Sequence, residues 1–158
     1  MKDMKDAKDV NQPSHDNLLP AWQRIVLATA DVQHFPRYSR LLPAWCREPL
    51  LCLSVREVMS ALSVHDVAIV VCSASLADGS FRDLFRVLDL ARWHVPVIVA
   101  FPGDQQEQPS EAILLGAYGC VTPSTERNEI SRILDRALAQ SRRFDTQDSS
   151  QAAHWITQ

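Results

Sequence analysis

His65-Asp66-Val67-Ala68-Ile69-Val70-Val71-Cys72-Ser73-Ala74-Ser75-Leu76-Ala77-Asp78-Gly79 is the stretch around which this 158-residue chain is organised. Val67 to Cys72 is an unbroken apolar run rich in β-branched residues, too short for an independent helix and followed by turn residues. Such a run predicts a central parallel strand buried on both faces. The chain then turns at Asp78-Gly79 and enters a helix at Ser80. In an open α/β sheet, functional groups gather where strands end and helices begin. The segment Ser73 to Asp78 is therefore the first place to look for chemistry.

The composition is that of an ordinary globular chain, 46% hydrophobic and 22% charged, and the length allows one domain with a sizeable core. A formal charge of −3 gives no reason to expect nucleic-acid binding. No apolar run is long enough to span a bilayer. The Met-Lys-Asp-rich start lacks the apolar core of a signal peptide, so a cytoplasmic location is the expectation. Cys46, Cys52, Cys72 and Cys120 show no C-x-x-C spacing and read as free thiols.

Residues 1–22 open on a repeated Met-Lys-Asp and read as a solvated, disordered tail; residues 144–158 read as a second, polar tail. Between them, 23–143 forms one domain. Arg24 to Ala28 predicts a first strand. Phe35 to Trp45 has roughly helical spacing, but Pro43 lacks the N–H that a helix interior needs, so a short or kinked helix ending near Trp45 is expected. Leu50 to Leu53 predicts a second strand. Ser54 and Glu57 form a capping box that opens the next helix, and Ser80 with Asp83 forms another. Val95 to Phe101 and Gly119 to Thr122 predict the fourth and fifth strands. Ser110 is placed as the cap of a short helix ending at Gly116, and Glu126 to Arg143 as the last helix. Five β-α units predict an α/β fold, a doubly wound five-stranded parallel sheet with strand order 2-1-3-4-5.

From Arg24 to about Gln140 the chain resembles the receiver domain of two-component response regulators. The resemblance rests on Asp66-Val67-Ala68-Ile69-Val70-Val71, Leu76-Ala77-Asp78-Gly79, Val95-Pro96-Val97-Ile98-Val99 and the run from Glu111 to Gly119. It implies a flavodoxin-like, receiver-like fold and a place in two-component or phosphorelay-like signal transduction. It also implies a site. Receivers hold Mg²⁺ on an acidic pair after the first strand, carry a phosphoacceptor aspartate at the end of the third, a Ser or Thr at the end of the fourth and a Lys at the end of the fifth. Mg²⁺ takes hard oxygen ligands and neutralises the transferring phosphoryl group, whose oxygens the Lys contacts.

Carried over residue by residue, the acidic pair falls on Thr29 and Ala30, with Asp31 one residue late and read as a helix cap. The acceptor position falls on Ser73, the Ser/Thr position on Phe101 and the Lys position on Pro123. A shift of one residue puts Cys72 at the acceptor and still supplies no carboxylate. The resemblance therefore implies a degenerate, or pseudo-, receiver: no enzyme, no metal and no cofactor, with Phe101 packing the pocket shut. Its action is expected through a protein partner of a signalling pathway. A homodimer through the fourth helix, fifth strand and fifth helix is the other expected contact, with Arg132, Arg136 and Arg143 along the outer edge of the last helix. Glu129 is placed to pair with Arg132. Two other readings stand beside it: a thiol-based redox sensor using Cys72, and a small-ligand-binding flavodoxin-like domain, which no glycine-rich phosphate loop supports.

Overall fold

Each of the five segments expected to be strands becomes a strand of one parallel sheet in the computed structural model, which describes residues 23–42, 46, 48–101, 103 and 109–156, with side chains through Ser141. The strands are β1 (Gln23–Ala28), β2 (Leu50–Cys52), β3 (Asp66–Ser73), β4 (Val97–Ala100) and β5 (Gly119–Val121). Their order in the sheet is β2-β1-β3-β4-β5, all parallel, as the alternation of strands and helices predicts. The helices are α1 (Phe35–Ser39), α2 (Val55–Val64), α3 (Phe81–Ala91), α4 (Pro109–Leu115) and α5 (Arg127–Ile156).

Strand side chains alternate between two apolar layers. Val26, Ala28, Val70, Cys72, Val97, Val99 and Phe101 face α2, α3 and α4, where Val58, Leu62, Phe81 and Leu84 cover them. Ile25, Leu27, Ile69, Val71, Ile98 and Ala100 face the other way, beneath Phe35 and Tyr38 of α1 and Ile130, Leu134, Ala137 and Leu138 of α5. That alternation fixes where Phe101 points: with Val97 and Val99, toward α3. Gly119 is required for close packing, because a Cβ there would lie 2.7 Å from Cγ2 of Ile133 on α5. Gly116 ends α4 at a φ of +114°, the left-handed conformation that glycine adopts without a steric penalty.

Three helix boundaries differ from expectation. The first helix stops at Ser39 rather than near Trp45, after a 3₁₀ turn over Val32–His34. Arg40–Leu42 tighten into i→i+3 bonds, Leu41 N–H to Tyr38 O and Leu42 N–H to Ser39 O. Pro43 disfavours helical backbone at the residue before it, so the end falls earlier than the apolar spacing suggests. Trp45 lies outside the described residues. Ser110 is inside α4, not its cap, because Pro109 takes the first helical turn, where its missing N–H costs nothing. The last helix runs past Arg143 to Ile156. Nothing after Pro123 is Gly or Pro, so no breaker stops it where the apolar stripe fades. Residues 1–22 lie outside the described residues.

Candidate functional site

The six residues that the sequence places in the vestigial site lie at or just past the carboxyl ends of β1, β3, β4 and β5, in unequal surroundings, and of the six Phe101 and Pro123 line a common cavity. Thr29, just past β1, is buried; its N–H donates to Cys52 O, and its Oγ1 accepts the N–H of Asp31 at 3.3 Å. Ala30 is exposed and donates its N–H to Ser75 O. Asp31 caps the 3₁₀ turn, as expected: Oδ1 accepts the Gln33 N–H at 2.9 Å, and Oδ2 lies 3.7 Å from Nε2 of His34. Its carboxylate is committed to that turn. Among the described residues no group of three His, Cys, Asp or Glu side chains comes together in a way that would hold a metal ion.

Ser73 closes β3 and is buried. Above it sits Tyr38 of α1, with Oη 3.5 Å from Ser73 Oγ. At that distance the hydrogen bond is weak, yet the phenol covers the hydroxyl. Sequence spacing marks Tyr38 only as one of several residues on an apolar helix face and gives no sign that it covers the end of β3. Phe101, 6% exposed, donates its N–H to Val121 O and packs edge-to-face on Phe81 with ring centroids 5.7 Å apart. Pro123 is exposed beside Gly103, where its Cγ would lie 3.2 Å from an added Cβ.

Of the six residues, Phe101 and Pro123 also border an open cavity. A cavity of about 120 Å³ remains between α1, the end of β4 and the β5–α5 loop, lined by Arg37, Tyr38, Phe101, Thr122, Pro123 and Thr125, among others. Phe101 forms a wall of it and does not fill it, because strand alternation sends the ring toward Phe81 and α3. The β5–α5 loop adds three hydroxyls: Thr122 Oγ1 contacts Ser124 Oγ at 2.9 Å and Thr125 Oγ1 at 3.2 Å.

The β3–α3 connection has structure that the sequence leaves as a turn. Ser75–Leu76 and Gly79–Ser80 form a two-residue antiparallel ladder. At its tip Asp78 reaches back to the start of α2, with Oδ1 accepting the Val55 N–H at 2.7 Å and Oδ2 the Arg56 N–H at 3.2 Å. These bonds, the Val55 one first, hold the Asp78 carboxyl below its usual range. Ser54 caps the same helix by accepting the Glu57 N–H, while the Glu57 carboxylate takes the Leu53 N–H rather than completing the box on Ser54. The Ser80–Asp83 box on α3 is complete.

None of the four cysteines is in a disulfide. Burial pushes Cys46 and Cys52 up to about 11 and raises Cys72 and Cys120 as well. A reactive thiol needs the opposite shift, so these surroundings speak against thiol chemistry.

Arg132 and Arg136 are exposed on α5; Arg143 lies in the same helix beyond the described side chains. Glu129 and Arg132 are not paired: among the described residues no ion pair joins them, and both side chains are exposed. The neighbouring α4 carries a feature not singled out from the sequence. Ile113, Leu114 and Leu115 are 50%, 87% and 41% exposed, three consecutive apolar side chains turned to solvent. A shift from the apolar stripe of a core helix to an apolar outer face was readable there only once Ala112 was known to be the residue of α4 that is buried.

No protein-family model matches the sequence, and no curated protein matches it. Solved structures do. The chain is similar to the signal receiver domain of a putative LuxO repressor protein from Vibrio parahaemolyticus, with a TM-score of 0.65, 13% identity, and 78% of this chain and 95% of that one covered. It is similar to a CheY-like response regulator receiver domain protein from Methanospirillum hungatei JF-1, with a TM-score of 0.63, 12% identity, and coverage of 78% and 98%. A response regulator receiver domain protein from Clostridium thermocellum gives 0.65 and 15%, covering 77% and 98%. The chain has the fold of response regulator receiver domains.

Proposed function

We propose that this chain is a receiver-like signalling module that acts through protein contacts and not by phosphotransfer. The observation that carries this is the end of β3, where Ser73 is a buried hydroxyl in contact with Tyr38; the resemblance to receivers aligns this position with the phosphoacceptor carboxylate. Its surroundings agree. Mg²⁺ needs hard, preferably anionic oxygen ligands. Thr29, Ala30 and the committed Asp31 do not fit it, and Pro123 supplies no cation for phosphoryl oxygens. No step through a metal follows from these residues.

Contact is assigned to the face made by α4, β5 and α5, by a protein partner or a second copy. Exposed apolar clusters rimmed by polar residues mark protein–protein sites. Ile113, Leu114 and Leu115 supply the apolar part, and Arg132 and Arg136 a basic edge suited to an acidic surface, with Arg143 further along the same helix in sequence. The test is the triple reversal Arg132→Glu, Arg136→Glu and Arg143→Glu. It is expected to leave the circular dichroism spectrum unchanged while weakening self-association or partner capture, most at low salt. Unchanged binding by the folded triple variant would move the interface elsewhere.

A further inference from the structure

α4 turns its smallest apolar side chain inward and its three largest outward. Of its seven residues, Pro109–Leu115, Ala112 is the one that is buried, while Ile113, Leu114 and Leu115 follow it into solvent. Apolar burial alone favours another rotation, because each of the three offers more apolar surface than a methyl group. A helix this short is not stable in isolation either, so contacts with its neighbours hold it. Its carboxyl end is tied by the main chain: Ala117 N–H donates to Ala112 O and Tyr118 N–H to Val97 O of β4. Its first turn is tied by a side chain from α3. Arg82 Nε and Nη2 donate to Glu111 Oε1 and Oε2, each at 2.6 Å. Two parallel bonds from a planar guanidinium fix direction as well as distance, which a single-point ion pair does not. The base of this fork is rigid. Arg82 sits in the first turn of α3, where its N–H donates to Ser80 Oγ within the complete capping box. Its Cζ lies 4.7 Å from the centroid of the Phe81 ring, which is fully buried and meets Phe85 and Phe101 edge-on. Glu111 directly precedes Ala112, so fixing its direction fixes the rotation of α4. Steps of about 100° per residue then put Leu114 about 200° from Ala112, away from the core; at 87% it is the most exposed of the three.

We propose that Arg82 is a positioning residue for the contact face: its fork to Glu111 locks α4 in the rotation that keeps Ile113, Leu114 and Leu115 outward and available for contact. Arg82 lies on α3, outside the face itself, and acts through Glu111. The assignment deepens the reading that this face makes protein contacts, and rests on it.

The test uses the full chain and two readouts: amide hydrogen exchange on α4, and self-association followed by sedimentation. In Arg82→Gln and in Glu111→Gln, the amides of Ile113–Ala117 should exchange about fivefold faster or more, the effect of losing a charge-assisted bond at a half-exposed site. The β3 amides of Ile69–Cys72 should not change. Arg82→Lys keeps the charge without the fork and should fall between wild type and Arg82→Gln. The reversed pair, Arg82→Glu with Glu111→Arg, should restore most of the protection, which a purely structural loss at either site would not allow. Self-association should weaken in each variant in step with α4 exchange. Leu114→Ser is the reference, since it removes the contact and leaves the fork: it should weaken association with wild-type exchange. Wild-type α4 exchange in Arg82→Gln overturns the positioning role. Faster exchange with full association, where Leu114→Ser lowers it, overturns the link between the fork and the contact. Association untouched by both Arg82→Gln and Leu114→Ser overturns the contact reading on which the assignment rests.

Discussion

Phe101, which the resemblance aligns with a receiver's switch hydroxyl, carries no hydroxyl and is held by aromatic packing. The ring is nearly buried and meets Phe81 edge-on. Phe101→Ala should destabilise the fold by about 3–5 kcal/mol, read from denaturant midpoints, because it removes a buried aromatic and leaves a cavity. Equal midpoints would mean that the ring contributes no packing. The thiols give a second expectation at this scale. With Cys46 and Cys52 pushed up to about 11, about one thiol in a thousand is ionised at pH 8. Alkylation of native protein should therefore be slow and should accelerate on unfolding; rapid labelling of Cys72 in the native state would revive the redox reading. Strand burial of Cys52 and Cys72 was legible in their apolar runs. The cover that Tyr38 forms over Ser73 was not, because it depends on a contact between residues 35 positions apart.

Helix ends carry the next set of consequences. Asp78, in the hairpin after β3, caps α2 through two backbone N–H groups 22 and 23 residues away. Asp78→Ala should cost about 0.5–2 kcal/mol, the range for losing a cap. The same carboxylate is lowered from an ordinary value of 3.8, chiefly by its bond from Val55. A group with a depressed folded-state value contributes stability above its unfolded value, so the contribution is intact at neutral pH. It is lost as the pH falls below about 3.8 and through the lower folded value. The acid limb of an unfolding titration should therefore flatten slightly in Asp78→Asn; an unchanged limb would mean that the cap is not ionised. Local signals in the sequence marked Ser54, Ser80 and Asp83 as cap residues, since a capping box lies within four residues. They could not mark Asp78, whose partners are distant, nor the early end of α1, where the preference imposed by Pro43 overrides an apolar spacing that continues beyond it. The length of α5 was also missed: without a Gly or Pro to stop it, the helix outlasts the apolar stripe readable in its sequence.

At the scale of the whole molecule, the sheet order was legible because short apolar strands alternating with helices allow few topologies. The apolar α4 surface was not, since Ile113, Leu114 and Leu115 read equally well as core until the burial of Ala112 sets the rotation of the helix. Leu114→Ser should change stability by less than about 0.5 kcal/mol, as for other exposed sites, while reducing self-association or partner capture. A loss of stability without a loss of binding would make the patch structural. The central claim concerns the other end of the sheet: a receiver fold with Ser73 at the acceptor position and no fitting metal ligands does not accept phosphate. Its most direct test is the intact mass of the full chain after incubation with Mg²⁺ and acetyl phosphate, measured before and after acid treatment. The predicted result is one unmodified mass throughout; a stoichiometric phosphoryl adduct, acid-labile or acid-stable, would contradict it.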